Sequence, residues 1–152
     1  MDRQQLGRQG ETLACRALRR LGYAILDRRY RTRFGELDIV ARDAATLVFV
    51  EVKTRTVESH GTALEAVTAT KRRTIVAMAR DYLTRRRAWE GPSKFDVVGV
   101  TIAPGTRPRI AHASTPSMSI GDRKTGVARL DGFATAMLKL HGSLGYAGIT
   151  QW

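Results

Sequence analysis

Three charged residues interrupt two apolar segments of the chain and are of the types that phosphodiester hydrolysis needs. Asp38 lies in the segment GELDIVA, and Glu51 and Lys53 lie in LVFVEVKTR. Because side chains alternate faces along a strand, Glu51 and Lys53 are predicted to share one surface with Leu47 and Phe49. Burying such charges costs several kcal/mol per ion, so a metal ion or a phosphate is expected to compensate them.

The two carboxylates and the lysine suit metal-assisted hydrolysis of a phosphodiester. Carboxylates from paired strands supply hard oxygen ligands for Mg²⁺ or Mn²⁺, and a cation bound there acidifies a water and polarises the ester. A neighbouring lysine can orient the attacking water, help to deprotonate it, or neutralise charge on the phosphate. The spacing of Asp38, Glu51 and Lys53 is by itself a weak indication of such a site. The position of these residues near the ends of two joined strands strengthens the indication. The three histidines are isolated in the sequence, and it contains no P-loop or Rossmann glycine motif.

The elements that must position these residues follow a helix–strand–strand–strand–helix–strand order. The pattern predicts a helix over 4–22 that ends at Gly22, and strands over 23–30, 37–41 and 47–54. These strands are expected to form an antiparallel meander with a basic turn at 31–33 and a loop at 42–46. A capping box over 62–65 opens a second helix, and strands are predicted over 94–102 and 109–112.

Two further charged residues fall near the inward sides of the predicted helices. Glu11 lies at the edge of the first helix's apolar face, where an ordinary boundary glutamate and a site residue are equally consistent with the spacing. Gly7 and Gly10 beside it leave room for close backbone approach. Lys71 falls on the inward side of the second helix, whose other cations are expected to be solvated.

The basic composition indicates a polyanionic partner. The chain has 26 Lys and Arg against 14 Asp and Glu, a formal charge of +12, and arginine predominates. Arginine favours planar, bidentate contacts with phosphate, so a nucleic acid is the first expectation and an acidic membrane or ribosomal surface the second. A high-GC genome that encodes arginine freely on solvated faces is the alternative.

Cysteine usage and hydropathy limit the compartment. Cys15 is the single cysteine, which excludes an intramolecular disulfide and a cysteine-based zinc site, and it is predicted to be a small core residue. The N-terminus is too polar for a signal peptide, and no apolar run approaches the ~20 residues that span a bilayer. A cytoplasmic protein without a membrane partner is therefore expected.

Several short motifs occur in the order found in one bacterial family. They are G-x-x-G-E-x-x-A over Gly7–Ala14, GELDIVA, LVFVEVKTR, the spacing of Val67 and Lys71, and FDVV over 95–98. Through these motifs the chain resembles the YraN-like proteins, small members of the PD-(D/E)XK nuclease superfamily. The resemblance implies an α/β fold with a restriction-endonuclease-like αβββαβ core, whose mixed sheet is flanked by helices. It also implies a Mg²⁺- or Mn²⁺-dependent endonuclease acting on duplex, branched or flapped DNA.

The resemblance assigns roles to individual residues. Asp38 and Glu51 would bind the metal together with the Val52 carbonyl, Lys53 would be the catalytic lysine, and Glu11 would lie beside the metal. Supporting or DNA-contacting roles fall to Glu36, Arg55 and Lys71, and further phosphate contacts are expected from Arg31, Arg33 and Arg72. A homodimer is compatible with this, because related nucleases that cut two strands often work as dimers. The alternatives are a non-catalytic nucleic-acid-binding protein that keeps the fold, and a basic adaptor for RNA or ribosomes.

The resemblance covers about residues 1–112, the predicted nuclease-like domain. Residues 113–152 form an atypical extension, rich in Ser, Thr, Gly and Ala, that is expected to be partly disordered. A weak amphipathic helix is predicted within it, over 127–140.

Overall fold

The computed structural model describes residues 2–57, 69–87, 91–119 and 150–151. Two helices and five longer strands make up most of this part of the chain, and two further strands have only two residues each. The elements are α1 (Arg3–Arg20), β1 (Ala24–Thr32), β2 (Gly35–Asp43), β3 (Thr46–Thr56), α2 (Ala69–Arg86), β4 (Pro92–Ile102), β5 (Arg109–Ser114), β6 (Met118–Ser119) and β7 (Thr150–Gln151).

The strands form one mixed sheet in the order β1-β2-β3-β4-β5-β7, with β6 paired to β4. The first three strands are antiparallel neighbours, as the meander prediction requires. β3 and β4 are parallel, and α2 lies between them in the chain, because a parallel pair needs a crossover connection. The predicted αβββαβ core with a mixed central sheet is therefore confirmed.

Residues at both ends of the first helix fix where it begins and where it stops. Asp2 caps its N-terminus, where the Asp2 carboxylate accepts from Gln5 N–H at 2.7 Å and the Gln5 side chain accepts from Asp2 N–H at 3.2 Å. After Leu21 the chain passes through Gly22 with φ of 91°, a conformation that glycine adopts without steric penalty. The predicted stop at Gly22 is thus confirmed, and Cys15 is buried in the core as predicted.

Alternation along the central strands separates two apolar cores. On one face Phe49 and Phe95 pack with Ile75 and Met78 of α2. On the other face the buried residues of α1 pack against the sheet, a group that includes Ala14, Leu18, Ile39, Val48, Val50 and Val98. Since Phe49 faces α2, the same parity places Glu51 and Lys53 on the α2 face of β3.

The strands are longer and their turns tighter than the sequence pattern indicates. Thr32 pairs with Gly35, so Arg31 and Thr32 belong to β1 and the basic turn is reduced to Arg33 and Phe34. Asp43 likewise pairs with Thr46, which shortens the second loop to two residues. Hydrogen bonding across both hairpins extends the ladders past the apolar residues that mark a strand in the sequence.

Some predictions fall on residues outside the described part of the chain. These are the capping box over 62–65 and the helix over 127–140. β5 reaches Ser114, and Thr115 Oγ1 accepts from Phe95 N–H at 2.9 Å, so sheet contacts continue just past residue 112.

Gly10 allows α1 to approach β3 closely. A Cβ at this position would overlap the Thr54 side chain, whereas a Cβ at Gly7 would have no atom within 4 Å. We expect Gly10→Ala to lower the free energy of unfolding by about 1–3 kcal/mol through overpacking. Gly7→Ala in the same helix is the control and should raise it by up to about 1 kcal/mol through helix propensity. Urea unfolding of both variants measures the difference, and equal effects would contradict the close approach.

Candidate metal centre and nucleic-acid interface

The site lies where β2 and β3 stop pairing. Their register runs from Asp43 opposite Thr46 to Ile39 opposite Val50. If it continued, Val52 would face Leu37, but the Val52 N–H instead donates to Asp38 Oδ2 at 2.8 Å. On its other side Val52 continues to pair with Val98 of β4. The parting of the strands therefore leaves the Asp38 carboxylate inserted beside the main chain of β3.

One carboxylate oxygen of Glu51 contacts the ammonium groups of two lysines. Its Oε1 accepts from Lys53 Nζ at 2.9 Å and lies 3.2 Å from Lys71 Nζ. The Glu51 side chain is 6% exposed, whereas the two lysine side chains are about one-third exposed. Lys53 is positioned by strand alternation and Lys71 by the packing of α2 over the same face. The sequence-based placement of Lys71 on the inward side of α2 is consistent with this contact.

The Asp38 carboxyl is electrostatically coupled to Glu51. Its pKa is raised from an ordinary value of 3.8 to about 7, first by burial and then by the negative charge of Glu51. The Val52 N–H and the Lys71 ammonium lower the pKa of Asp38, and the charge of Glu11 adds to the increase. Asp38, Glu51 and Lys71 thus lie within electrostatic reach of one another, with Glu11 nearby.

Glu11 is held by an arginine that the sequence reasoning did not single out. Its Oε2 accepts from Arg29 Nε at 2.6 Å, and the Glu11 side chain is 14% exposed. Arg29 lies within β1 at φ of 51°, which is uncommon for a residue other than glycine. A residue kept in such a conformation is often held there by its surroundings, and here its guanidinium lies against the third carboxylate.

The residues present fit a hard divalent cation. Asp38 and Glu51 supply oxygen donors, and their mutual repulsion is of the kind that a cation removes. Because the N–H and C=O of one strand residue point to the same neighbour, the Val52 carbonyl faces the side on which Asp38 lies. Within the described ranges, no three His, Cys, Asp or Glu side chains converge into a metal cluster.

The predicted phosphate-contacting residues lie in two places. Lys71 is at the Glu51 carboxylate, and Arg55 follows Lys53 on the same face of β3, in register with Thr101 of β4. Arg31 and Arg33 lie at the exposed β1–β2 hairpin, where Arg31 Nε is 3.2 Å from Glu36 Oε2. Glu36 is therefore placed at this hairpin, in contact with Arg31. The side chain of Arg72 lies outside the described residues.

A second polar cluster was missed in the sequence. Asp96 is fully buried on β4, and its carboxylate accepts from Tyr23 OH at 3.1 Å and from Ser114 OH at 2.5 Å. His112 Nε2 lies 2.7 Å from Asp96 Oδ2, so this histidine, isolated in sequence, is not isolated in the fold. Lys94 joins the cluster through Tyr23 OH at 2.7 Å. The only sequence signal was that Asp96 shares the parity of the apolar residues of its strand.

Comparison with known proteins places the chain among bacterial relatives. The model of the Uncharacterised protein family UPF0102 matches residues 10–100. The chain belongs to this family. A UPF0102 protein of Nocardia farcinica is 50% identical over 111 residues, which cover 73% of this chain and 87% of the relative. A relative from Geobacter sulfurreducens is 50% identical over 70% of this chain and 84% of the relative's length. A relative from Anaeromyxobacter dehalogenans is 45% identical over 82% of this chain and 90% of the relative's length. The resemblance to the YraN-like group is thereby confirmed.

Both described helices are amphipathic or basic rather than uniformly apolar. Neither is long and apolar enough to cross a membrane.

Proposed function

We propose that this UPF0102 protein is a Mg²⁺- or Mn²⁺-dependent endonuclease that hydrolyses DNA phosphodiester bonds, with a preference for branched or flapped DNA. The observation that carries the proposal is the pairing of two mutually repelling carboxylates, Asp38 and Glu51, with two lysines on the Glu51 oxygen. Repelling acids beside cations suit a site that binds a divalent cation and a phosphate together.

Each residue has a role in this proposal that follows from its position. Asp38, Glu51 and the Val52 carbonyl would hold the cation, which supplies an acidified water and a polarised phosphodiester when bound. Lys53, as an ammonium group paired with Glu51, would orient the attacking water or neutralise charge that develops on the phosphate. Glu11 would act beside the metal once it exchanges its contact with Arg29.

The basic residues would hold the nucleic-acid backbone around this centre. Arg55 continues the face of β3 that carries Glu51 and Lys53, and Lys71 approaches the same face from α2. Arg31 and Arg33 extend the positive surface to the β1–β2 hairpin. We further propose that the protein acts in the cytoplasm, and that cutting both strands of a duplex would use a homodimer with one site per protomer.

A cleavage assay tests the proposal directly. Purified protein is incubated with Mn²⁺ or Mg²⁺ and duplex, flapped and four-way DNA, together with Asp38→Asn and the control Asp81→Asn from α2. We expect wild type and the control to cut, and Asp38→Asn to cut at least about a hundredfold more slowly. Absence of cleavage in wild type, or equal rates in wild type and Asp38→Asn, would reject a nuclease.

A non-catalytic DNA-binding protein that keeps this fold is the second candidate. It is favoured by the ion pairs of Glu11 with Arg29 and of Glu51 with two lysines, which compensate both acids without a metal. Under this candidate, Asp38→Asn would leave DNA affinity and in-cell phenotype unchanged, and no DNA of the panel would be cut. Binding that weakens steeply with salt is expected of both candidates and does not separate them.

A further inference from the structure

The tip of the β1–β2 hairpin exposes an aromatic ring. Phe34 is 42% exposed at the two-residue turn between Thr32 and Gly35. Within the described residues, only Leu26 and Val57 are comparably exposed large apolar side chains. Turns favour Gly, Pro, Asn, Asp and Ser for conformational reasons, and Phe has no such advantage. The ring at the tip therefore calls for an explanation beyond turn formation.

The turn holds the backbone that carries this ring in a defined conformation. Thr32 Oγ1 accepts from Phe34 N–H at 3.0 Å and donates to the Gly35 carbonyl at 3.0 Å. Gly35 has φ of 141°, where glycine is favoured, and a Cβ there would lie 3.2 Å from Met78 Sδ of α2. The tip is thus braced both internally and against the helix. A backbone held in this way loses little conformational entropy when the side chain that it carries binds a ligand.

A guanidinium lies over the ring. The Arg33 guanidinium is 4.7 Å from the centre of the Phe34 ring. Arg31 of the same hairpin is 88% exposed and forms an ion pair with Glu36. An aromatic face with arginines around it is the combination that binds single-stranded nucleic acid, because bases stack on the ring and guanidinium groups contact phosphates. A paired base inside a duplex does not offer its face, so this chemistry selects unpaired bases.

The separation of Phe34 from Asp38 allows both residues to contact one DNA strand. Phe34 is the turn residue directly before β2, and Asp38 follows it by four residues, so at about 3.3 Å per residue the two lie at most about 13 Å apart. This corresponds to about four nucleotide steps along one strand of a duplex. We propose that the Phe34 tip stacks on an unpaired base of branched or flapped DNA, a few nucleotides from the bond held at Asp38. The inference rests on the proposed function for its ligand, DNA, and adds the element that selects the substrate.

Binding without cleavage tests this inference. Wild type, Phe34→Ala, Phe34→Trp and Leu26→Ala are titrated in EDTA with duplex DNA and with flapped DNA carrying 2-aminopurine at the unpaired junction base. Leu26 is 39% exposed, so it controls for loss of exposed apolar area. We expect Phe34→Ala to bind flapped DNA about tenfold more weakly, with little change for duplex. Phe34→Trp should retain the affinity for flapped DNA and the change in 2-aminopurine fluorescence that wild type produces on binding. Leu26→Ala should behave as wild type.

The outcomes separate this inference from the nuclease proposal. A wild type without preference for flapped DNA, or a Phe34→Ala variant that loses flapped and duplex binding equally or neither, would overturn the stacking role. If wild type cuts DNA and Phe34→Ala keeps the preference for flapped DNA, the nuclease proposal stands and the stacking role of Phe34 is rejected. If the preference for flapped DNA depends on Phe34 but the protein does not cut DNA, the stacking role of Phe34 stands and the nuclease proposal is rejected.

Discussion

Asp38→Asn is expected to make the metal-free protein more stable at pH 8, by about 2–3 kcal/mol. The pKa of Asp38 is raised from 3.8 to about 7 by burial and by Glu51, which means that the fold opposes ionisation of this group. The full increase corresponds to about 4 kcal/mol, and we expect less because Asp38 is only partly enclosed. An asparagine keeps the shape and can accept the Val52 N–H bond without carrying the charge.

The gain should depend on pH in one direction. Below about pH 3.8 Asp38 is protonated in both the folded and the unfolded wild type, so its effect on stability is absent. As the pH rises towards 7, the unfolded chain ionises first, and the folded state of wild type loses relative stability until the pH passes about 7. The difference between Asp38→Asn and wild type should therefore be small at pH 4 and complete at pH 8. Urea unfolding in EDTA at several pH values measures it.

A control on the same strand should have the opposite sign. Asp43 accepts from Lys94 Nζ at 2.8 Å, and the Lys94 side chain is only 12% exposed. Asp43→Asn removes the partner of that ammonium group and should lower stability at pH 8. Asp38→Asn that is no more stable than wild type at pH 8, or equally stabilising at pH 4, would contradict the pKa argument.

A divalent cation should cancel this difference in stability. A ligand that binds only the folded state adds about 2.7 kcal/mol at a hundred times its Kd. We therefore expect Mn²⁺ to raise the melting temperature of wild type and not that of Asp38→Asn. The position that weakens the metal-free fold would then be the one that gains from the metal, as expected where local stability is given up for function.

Local features of the site could be predicted from the sequence, because strand alternation is a local rule. Phe49, Glu51 and Lys53 share a face for this reason, and the stop at Gly22 follows from one residue's backbone freedom. The contact of Arg29 with Glu11 could not be predicted in this way. It joins residues 18 positions apart and depends on a left-handed residue within a strand.

The buried cluster at Asp96 shows the same limit. Its partners Tyr23 and His112 come from distant parts of the chain, and only the packing of β4 against β5 and the α1–β1 connection brings them together. Each of these residues is unremarkable in its own sequence window. The two-residue strands β6 and β7 are likewise below the length at which an alternating pattern can be recognised.

Lys53→Met is expected to separate cleavage from metal binding. Lys53 and Lys71 approach the same oxygen of Glu51, at 2.9 Å and 3.2 Å. A cation held by Glu51 would be repelled by both ammonium groups, so removing either should tighten Mn²⁺ binding, by about tenfold for charges this close near a surface. If Lys53 also serves the chemistry, Lys53→Met should cut DNA at least about a hundredfold more slowly.

Lys71→Met and Arg80→Met are the matched comparisons for this variant. Lys71→Met removes the same charge from α2 and should tighten Mn²⁺ binding similarly, with a smaller loss of cleavage. Arg80 is exposed on α2, and its removal should leave Mn²⁺ affinity unchanged. Calorimetric titration of the DNA-free proteins and single-turnover cleavage supply the two measurements. Weaker Mn²⁺ binding in Lys53→Met would contradict the argument, because a lysine that only supported the fold would, when lost, weaken binding and cleavage together.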